Sequence, residues 1–147
     1  FGAHLPDKKD KSLFDESKIN RDEAGRFAEA LAHNQHLLAD AQSAFGTDTD
    51  QRLSGVINNL AQNAYELDDH AQAQAFLQQR LALGQALQDN DIILDTLFQQ
   101  GVLAHEAGDA ARARTLFEQR VAIARTSDDE DLLEDAQARL DELISKT

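Results

Sequence analysis

The spacing of apolar residues along the chain predicts helices from about residue 21 onward. Apolar residues recur at helical spacing, and short polar stretches containing Gly or Asp interrupt them and mark turns. Ala, Leu, Gln and Asp dominate the sequence. Ala, Leu, Gln and Arg lose little freedom in a helix, so the mixture favours helix. We predict an all-α chain of five to seven antiparallel helices, at about residues 21–45, 50–67, 70–88, 91–107, 110–126 and 129–145.

The sequence contains a repeat with a period of 40 residues. The segment LAQNAYELDDHAQAQAFLQQRLALGQAL from Leu60 aligns with QGVLAHEAGDAARARTLFEQRVAIARTS from Gln100. A weaker copy, GRFAEALAHNQHLLADAQSAFG from Gly25, precedes them at an offset of 43 residues, which an inserted loop at residues 46–50 explains. The matched pairs of the two clearer copies are Ala61/Gly101, Asp68/Gly108, Asp69/Asp109, Ala73/Ala113, Leu77/Phe117, Gln79-Arg80/Gln119-Arg120 and Leu81/Val121.

Each copy predicts a helical hairpin. Asp68 and Gly108 are expected to end a helix, since Gly adopts the left-handed conformation freely and Asp tolerates it better than most residues. Asp69 and Asp109 can then cap the helix that follows. A single hairpin cannot bury its apolar stripe, so stacking of neighbouring hairpins is expected to supply the stability. Small residues are expected where the two helices approach closely, at Ala61, Ala73, Gly101 and Ala113.

The pattern divides the chain into an N-terminal segment and a repeat domain. Residues 1–20 do not fit the repeat, and they form an extension or a degenerate first helix. The repeat domain covers residues 21–147, with repeats at about 21–49, 50–90 and 91–127 and a closing helix at 129–145. An acidic first turn suits the positive end of the closing helix, which either opens a further repeat or caps the stack.

These repeats resemble the tetratricopeptide signature of a small residue, then Gly or Asp seven residues later, then Ala, then an aromatic residue or Leu. The long period, with GRFAEA, AFGTDTD and INNLA, is most similar to the subtype in kinesin light chains and their bacterial relatives. The resemblance covers residues 25–126 and implies a right-handed superhelical stack of antiparallel helix hairpins, an α-solenoid. The sequence departs from the family pattern at Asp68, Gln100 and Asn34, where Gly, Leu and a large apolar residue, respectively, are usual.

The resemblance also implies a concave groove that is lined by the first helix of each repeat and binds a peptide or helix. Asn and Gln can grip a peptide backbone because they carry donors and acceptors, and Tyr65 and Phe98 supply flat apolar contact. We expect Phe98 and Val102 to lie on an open face, against the alternative that these residues are only the solvated side of helices. The predicted groove residues are Asn58, Gln62, Tyr65, Glu66, Asp95, Phe98, Val102, His105 and Glu106.

Other kinds of site find little support in the sequence. A groove that clamps a C-terminal carboxylate needs Lys and Arg, but no Lys occurs between residues 19 and 145. His33, His36 and Asp40 have helical spacing that could suit a metal, but no fourth ligand is in view. The loop at residues 46–50 lacks the Gly and Glu that a calcium loop requires. We find no nucleophile–base pair or phosphate loop, and therefore predict no enzyme activity and no cofactor.

The net charge of −13 bears on the partners. Nucleic acid is disfavoured because phosphate binding needs clustered Lys and Arg, and an anionic membrane surface is disfavoured for the same reason. A basic protein or peptide partner is compatible with the charge. No apolar run is long enough to cross a bilayer. A cytoplasmic location is favoured. The chain begins at Phe1 and contains no Met, so we interpret it as a fragment from which a targeting signal could have been removed.

Three functions fit these observations. The first is a scaffold or adaptor that binds a peptide or helix in its groove. The second is a self-assembling structural element whose open repeat ends stack, and the third is a regulatory domain cut from a larger enzyme or transcription factor. Residues 1–20 combine four Lys with apolar side chains, so this segment is a further candidate for packing on the repeats of its own or a neighbouring molecule.

Overall fold

The computed structural model of the chain describes residues 21–47 and 49–146, which form helices joined by turns and contain no strand. The all-α prediction is therefore confirmed there, while residues 1–20 lie outside the described residues. No helix in the described part is both long and apolar enough to cross a membrane. The six helices are α1 (Arg21–Phe45), α2 (Leu53–Glu66), α3 (His70–Leu87), α4 (Asn90–Glu106), α5 (Ala110–Thr126) and α6 (Glu130–Lys146), with bounds within three residues of those predicted.

The described helices form two compact units. The N-terminal unit contains α1, α2, α3 and the start of α4 as far as Ile93. The C-terminal unit begins at Leu94 and contains the rest of α4 with α5 and α6. Within the N-terminal unit α2 packs against both α1 and α3, and within the C-terminal unit α5 packs against α6.

The N-terminal unit contains a cluster of apolar side chains, with a polar link between α1 and α2. Asn34, where the family resemblance leads one to expect a large apolar residue, donates from Nδ2 to Oδ1 of Asn63 at 2.8 Å. This bond satisfies a half-buried amide on each of α1 and α2, so the polar residue fits the interface between them. This cluster contains the buried residues Leu38, Leu53, Ile57, Leu60 and Leu83, with Leu31, Ala41, Phe45, Val56, Phe76 and Leu87 packed against them.

In the C-terminal unit, α4 and α5 approach closely at Gly101. A Cβ atom on Gly101 would lie 3.1 Å from Cε2 and Cζ of the buried Phe117 ring, so the glycine makes room for the ring. Ala61, Ala73 and Ala113, the other predicted close-approach residues, are completely buried. The small residues therefore stand at tightly packed positions, as the repeat pattern predicts.

The turns after α2 and α4 have the same geometry. Asp68 and Gly108 adopt left-handed backbone conformations, with φ of 61° and 83°. In both turns the next residue donates its backbone N–H to the carbonyl five residues earlier, at 2.9 Å. This hydrogen bond, together with the left-handed residue before it, is typical of a Schellman motif at the end of a helix. The prediction that Asp68 and Gly108 end their helices is confirmed.

The helices that follow these turns begin with equivalent caps. Oδ1 of Asp69 accepts from the backbone N–H of Gln72 at 3.0 Å. Oδ1 of Asp109 accepts from the N–H of Arg112 at 3.1 Å. Each carboxylate thus satisfies a donor that the first turn of a helix leaves without an intrahelical partner. The predicted capping roles of Asp69 and Asp109 are confirmed.

Gln88, at the end of α3, also has a left-handed backbone, with φ of 53°. Gln88→Gly is expected to raise the free energy of unfolding by about 1 kcal/mol, because glycine avoids the steric cost of this conformation. The control Gln79→Gly, at an exposed position within α3, should lower it by about 0.5–1 kcal/mol. Urea denaturation checks both variants, and a Gln88→Gly protein that loses as much stability as the control would contradict the prediction.

Candidate functional site

Three of the predicted groove residues form a polar row on α2. Asn58, Gln62 and Glu66 are four residues apart, so they follow one side of the helix. Each is half-buried, beside the fully buried positions Ile57 and Ala61. Two amides and a carboxylate along one helix carry both donors and acceptors. We call Asn58, Gln62 and Glu66 the α2 polar row.

Tyr65, predicted to offer its ring to a partner, is buried instead. Its ring stacks on the imidazole of His70, with centroids 5.4 Å apart and planes inclined by 2°. The tight turn at Asp68 brings the first residue of α3 back against the end of α2. The prediction that the Tyr65 ring is accessible to a partner is therefore wrong, because the ring packs at the turn between α2 and α3.

The predicted groove residues on α4 divide into half-buried and buried groups. Asp95, His105 and Glu106 are half-buried. Phe98 and Val102 are only 3% and 2% exposed. The expectation that this apolar pair lies on an open face is therefore wrong. Nearly every side of α4 between residues 92 and 104 is covered, so the helix is a core element.

The surroundings of Phe98 explain its burial. Its ring centroid lies 5.7 Å from that of Phe117 on α5, at an interplanar angle of 58°. The guanidinium carbons of Arg120 and Arg139 lie 5.3 Å and 4.8 Å from the same centroid. Cations favour the negative face of an aromatic ring. Helices α5 and α6 thus enclose Phe98, and apolar spacing within α4 alone does not reveal this.

Arg120 and Arg139 share one carboxylate. Arg120 Nη2 lies 3.1 Å from Asp135 Oδ2, and Arg139 Nε lies 3.3 Å from Asp135 Oδ1. Arg120 Nε also donates to the carbonyl of Leu94 at 3.1 Å. Burial lowers the pKa of the Arg120 guanidinium, and the hydrogen bond and charge of Asp135 oppose this effect. These contacts join α4, α5 and α6, so both guanidiniums serve the packing of the C-terminal unit.

Arg80 has the equivalent place in the N-terminal unit. Its buried guanidinium donates from Nε to Oγ of Ser54 at 3.2 Å. Arg80 and Arg120 are 40 residues apart, and so are their partners Ser54 and Leu94. The repeat alignment matches Arg80 with Arg120 but does not by itself show that they are buried. The signal for it is the recurrence of Arg at the same repeat position beside a large apolar residue.

The residues considered as metal ligands lie in two places, on α1 and in the turn before α2. His33, His36 and Asp40 are exposed side chains on α1. Asp50 accepts from Arg52 through both oxygens, at 3.0 Å to Nε and 2.8 Å to Nη2. The side-chain bond from Arg52 and then its backbone N–H lower the pKa of Asp50 to about 2. This carboxylate is thus engaged in ordering the turn before α2.

Comparison with known proteins adds no relative. No protein-family model, curated protein or solved structure matches this chain.

Proposed function

We propose that this chain is a protein-binding scaffold or adaptor module of tetratricopeptide-like hairpins, stacked in a right-handed superhelix. The observation that carries the proposal is the repetition of one hairpin. The pairs α2–α3 and α4–α5 share the same turn, the same Asp cap and the same buried Arg, each at an offset of 40 residues. Repeated hairpins of this kind build extended binding surfaces. The proposal assigns the chain no catalytic role and no cofactor.

The proposed contact surface is the accessible part of the predicted groove. The α2 polar row supplies the amides of Asn58 and Gln62, which can bond to a peptide backbone whatever its side chains are. On α4, the half-buried residues Asp95, His105 and Glu106 form a separate set of proposed contact residues. Acidic members of the set favour a partner segment with basic residues. The buried Tyr65, Phe98 and Val102 support the helices from within.

Site-specific crosslinking tests this assignment. A photo-reactive amino acid at position 62 should capture a discrete partner from a native extract, and the same group at the exposed Gln79 of α3 should not. With the captured protein purified, the Asn58→Ala/Gln62→Ala variant should bind about tenfold more weakly or worse, since each lost hydrogen bond contributes about 1 kcal/mol.

Arg112→Ala, an exposed change on α5, is the control and should leave the affinity unchanged. The far-ultraviolet circular dichroism of both variants should match that of the parent. If Arg112→Ala weakens binding and the α2 variant does not, the partner binds elsewhere and the proposed surface is wrong.

A further inference from the structure

Helix α6 repeats the features of α4. Both helices have 17 residues, and every position of one lies 40 residues from its counterpart in the other. Asp89 accepts from the N–H of Ile92 at 3.2 Å, and Asp129 accepts from the N–H of Leu132 at 3.3 Å. The cap, the start and the end of α6 thus coincide with those of a helix that begins a hairpin.

The side of α6 that corresponds to the hairpin interface of α4 is only partly covered. On α4 this side carries Leu97 and Gly101, which are buried, and Gly101 meets Phe117 of the second helix. The corresponding residues of α6 are Gln137, which is half-buried, and Asp141, which is exposed. Gln137 Nε2 donates to Asp141 Oδ1 at 3.0 Å. The position that a second helix fills in the earlier hairpins is therefore a surface on α6.

An open groove runs along this surface. Its volume is about 450 Å³, and its apolar lining comes from Leu133 and Ala138. The lining contains one guanidinium, that of Arg125, and three carboxylates, so the groove carries an excess of negative charge. Further along the same side of the helix Ile144 is 41% exposed. The carboxylates belong to Glu130, Glu134 and Asp141.

The earlier hairpins indicate which residues would suit this groove. In each, an Arg of the second helix donates from Nε to the first helix, at Ser54 in one and at Leu94 in the other. The residue at this position of α6 is Glu134, which is exposed. A guanidinium placed like Arg80, which bonds to the side chain of Ser54, would therefore meet a carboxylate. Asp141 in place of Gly101 disfavours a large apolar residue like Phe117 and favours a small or basic one.

We propose that this surface of α6 binds a basic amphipathic helix of another protein, which takes the position that α3 and α5 occupy in their own hairpins. The apolar residues of that helix would contact Leu133 and Ala138, and its Arg or Lys would face Glu134 and Asp141. The surface is distinct from the α2 polar row, so this proposal stands or falls separately from groove binding.

Titration with synthetic peptides tests the proposal on the whole chain. The probe is a 17-residue amphipathic peptide, the length of α5, with Leu and Ala on one face and Arg and Lys on the other. A matched peptide carries Glu in place of Arg and Lys. The basic peptide should shift the amide resonances of Leu133, Gln137 and Asp141 and bind more weakly as salt is added, and the acidic peptide should do neither.

Charge-removing variants supply the control. Glu134→Gln/Asp141→Asn should weaken binding of the basic peptide about fivefold or more, since two ion pairs are lost. Glu29→Gln/Asp40→Asn removes the same charge from exposed positions of α1 and should leave the affinity nearly unchanged. Equal weakening by both variants would mean non-specific attraction and would overturn the proposal. No shift at α6, or sedimentation showing that a second copy occupies this face, would overturn it as well.

Discussion

Replacing Phe117 by Ala is expected to lower the free energy of unfolding by about 3–5 kcal/mol. The Phe117 ring is fully buried and packs against both Phe98 and the backbone at Gly101. Its removal leaves a cavity beside a glycine, which has no side chain that could fill the space. Urea denaturation followed by circular dichroism measures the loss, and a change below about 1 kcal/mol would contradict the described packing.

Phe117→Leu is the matched variant. Leu77 is fully buried at the same position of the α2–α3 hairpin, so the hairpin accommodates Leu there. The expected loss is below about 1.5 kcal/mol, the usual range for a hydrophobic exchange that nearly conserves volume. Equal losses from the Ala and Leu variants would mean that ring contacts rather than filled volume hold α4 and α5 together.

The second large effect is expected from enlarging Ala73 or Ala113. Both residues are fully buried in the first turn of a second helix, one in each unit. Leu at either position should lower the free energy of unfolding by about 1–3 kcal/mol, because the added atoms must displace packed neighbours.

Exposed alanines on the same helices are the controls. Ala82→Leu on α3 and Ala122→Leu on α5 should change the stability by no more than about 0.5 kcal/mol. Thermal unfolding compares all four variants. An unchanged Tm in both the Ala73→Leu and Ala113→Leu proteins would mean that these positions do not mark the close approach of two helices.

The sequence predicts the helices and their turns well because their signals are local. Asp68 and Gly108 end helices through their own backbone freedom, and Asp69 and Asp109 cap through carboxylates three residues from the donors. Their recurrence at a constant offset adds a second, independent signal. None of these interactions requires knowledge of how distant helices are arranged.

The burial of the candidate site is less predictable because it depends on distant helices. Apolar spacing places Phe98 and Val102 on a side of α4 but does not show that Arg139, 41 residues after Phe98, covers the Phe98 ring. The bond between Asn34 and Asn63 is likewise invisible to periodicity, since each residue alone looks like an interruption of an apolar face. Each of these features requires the relative placement of two helices.

The most direct test of the 40-residue hairpin repeat is a double-mutant cycle at Gly101 and Phe117. The α2–α3 hairpin combines Ala61 with Leu77, and the α4–α5 hairpin combines Gly101 with Phe117. If the hairpins are equivalent, Gly101→Ala alone should leave the free energy of unfolding nearly unchanged or lower it, because its Cβ would lie 3.1 Å from the Phe117 ring.

In the Phe117→Leu background, the same Gly101→Ala change should stabilise the chain by about 0.5–1 kcal/mol, because Ala favours helix over Gly. Urea denaturation of the four proteins should then give a coupling energy of at least about 0.5 kcal/mol, in the range of residues in contact. Effects that add to within about 0.3 kcal/mol would contradict the equivalence of the two hairpins.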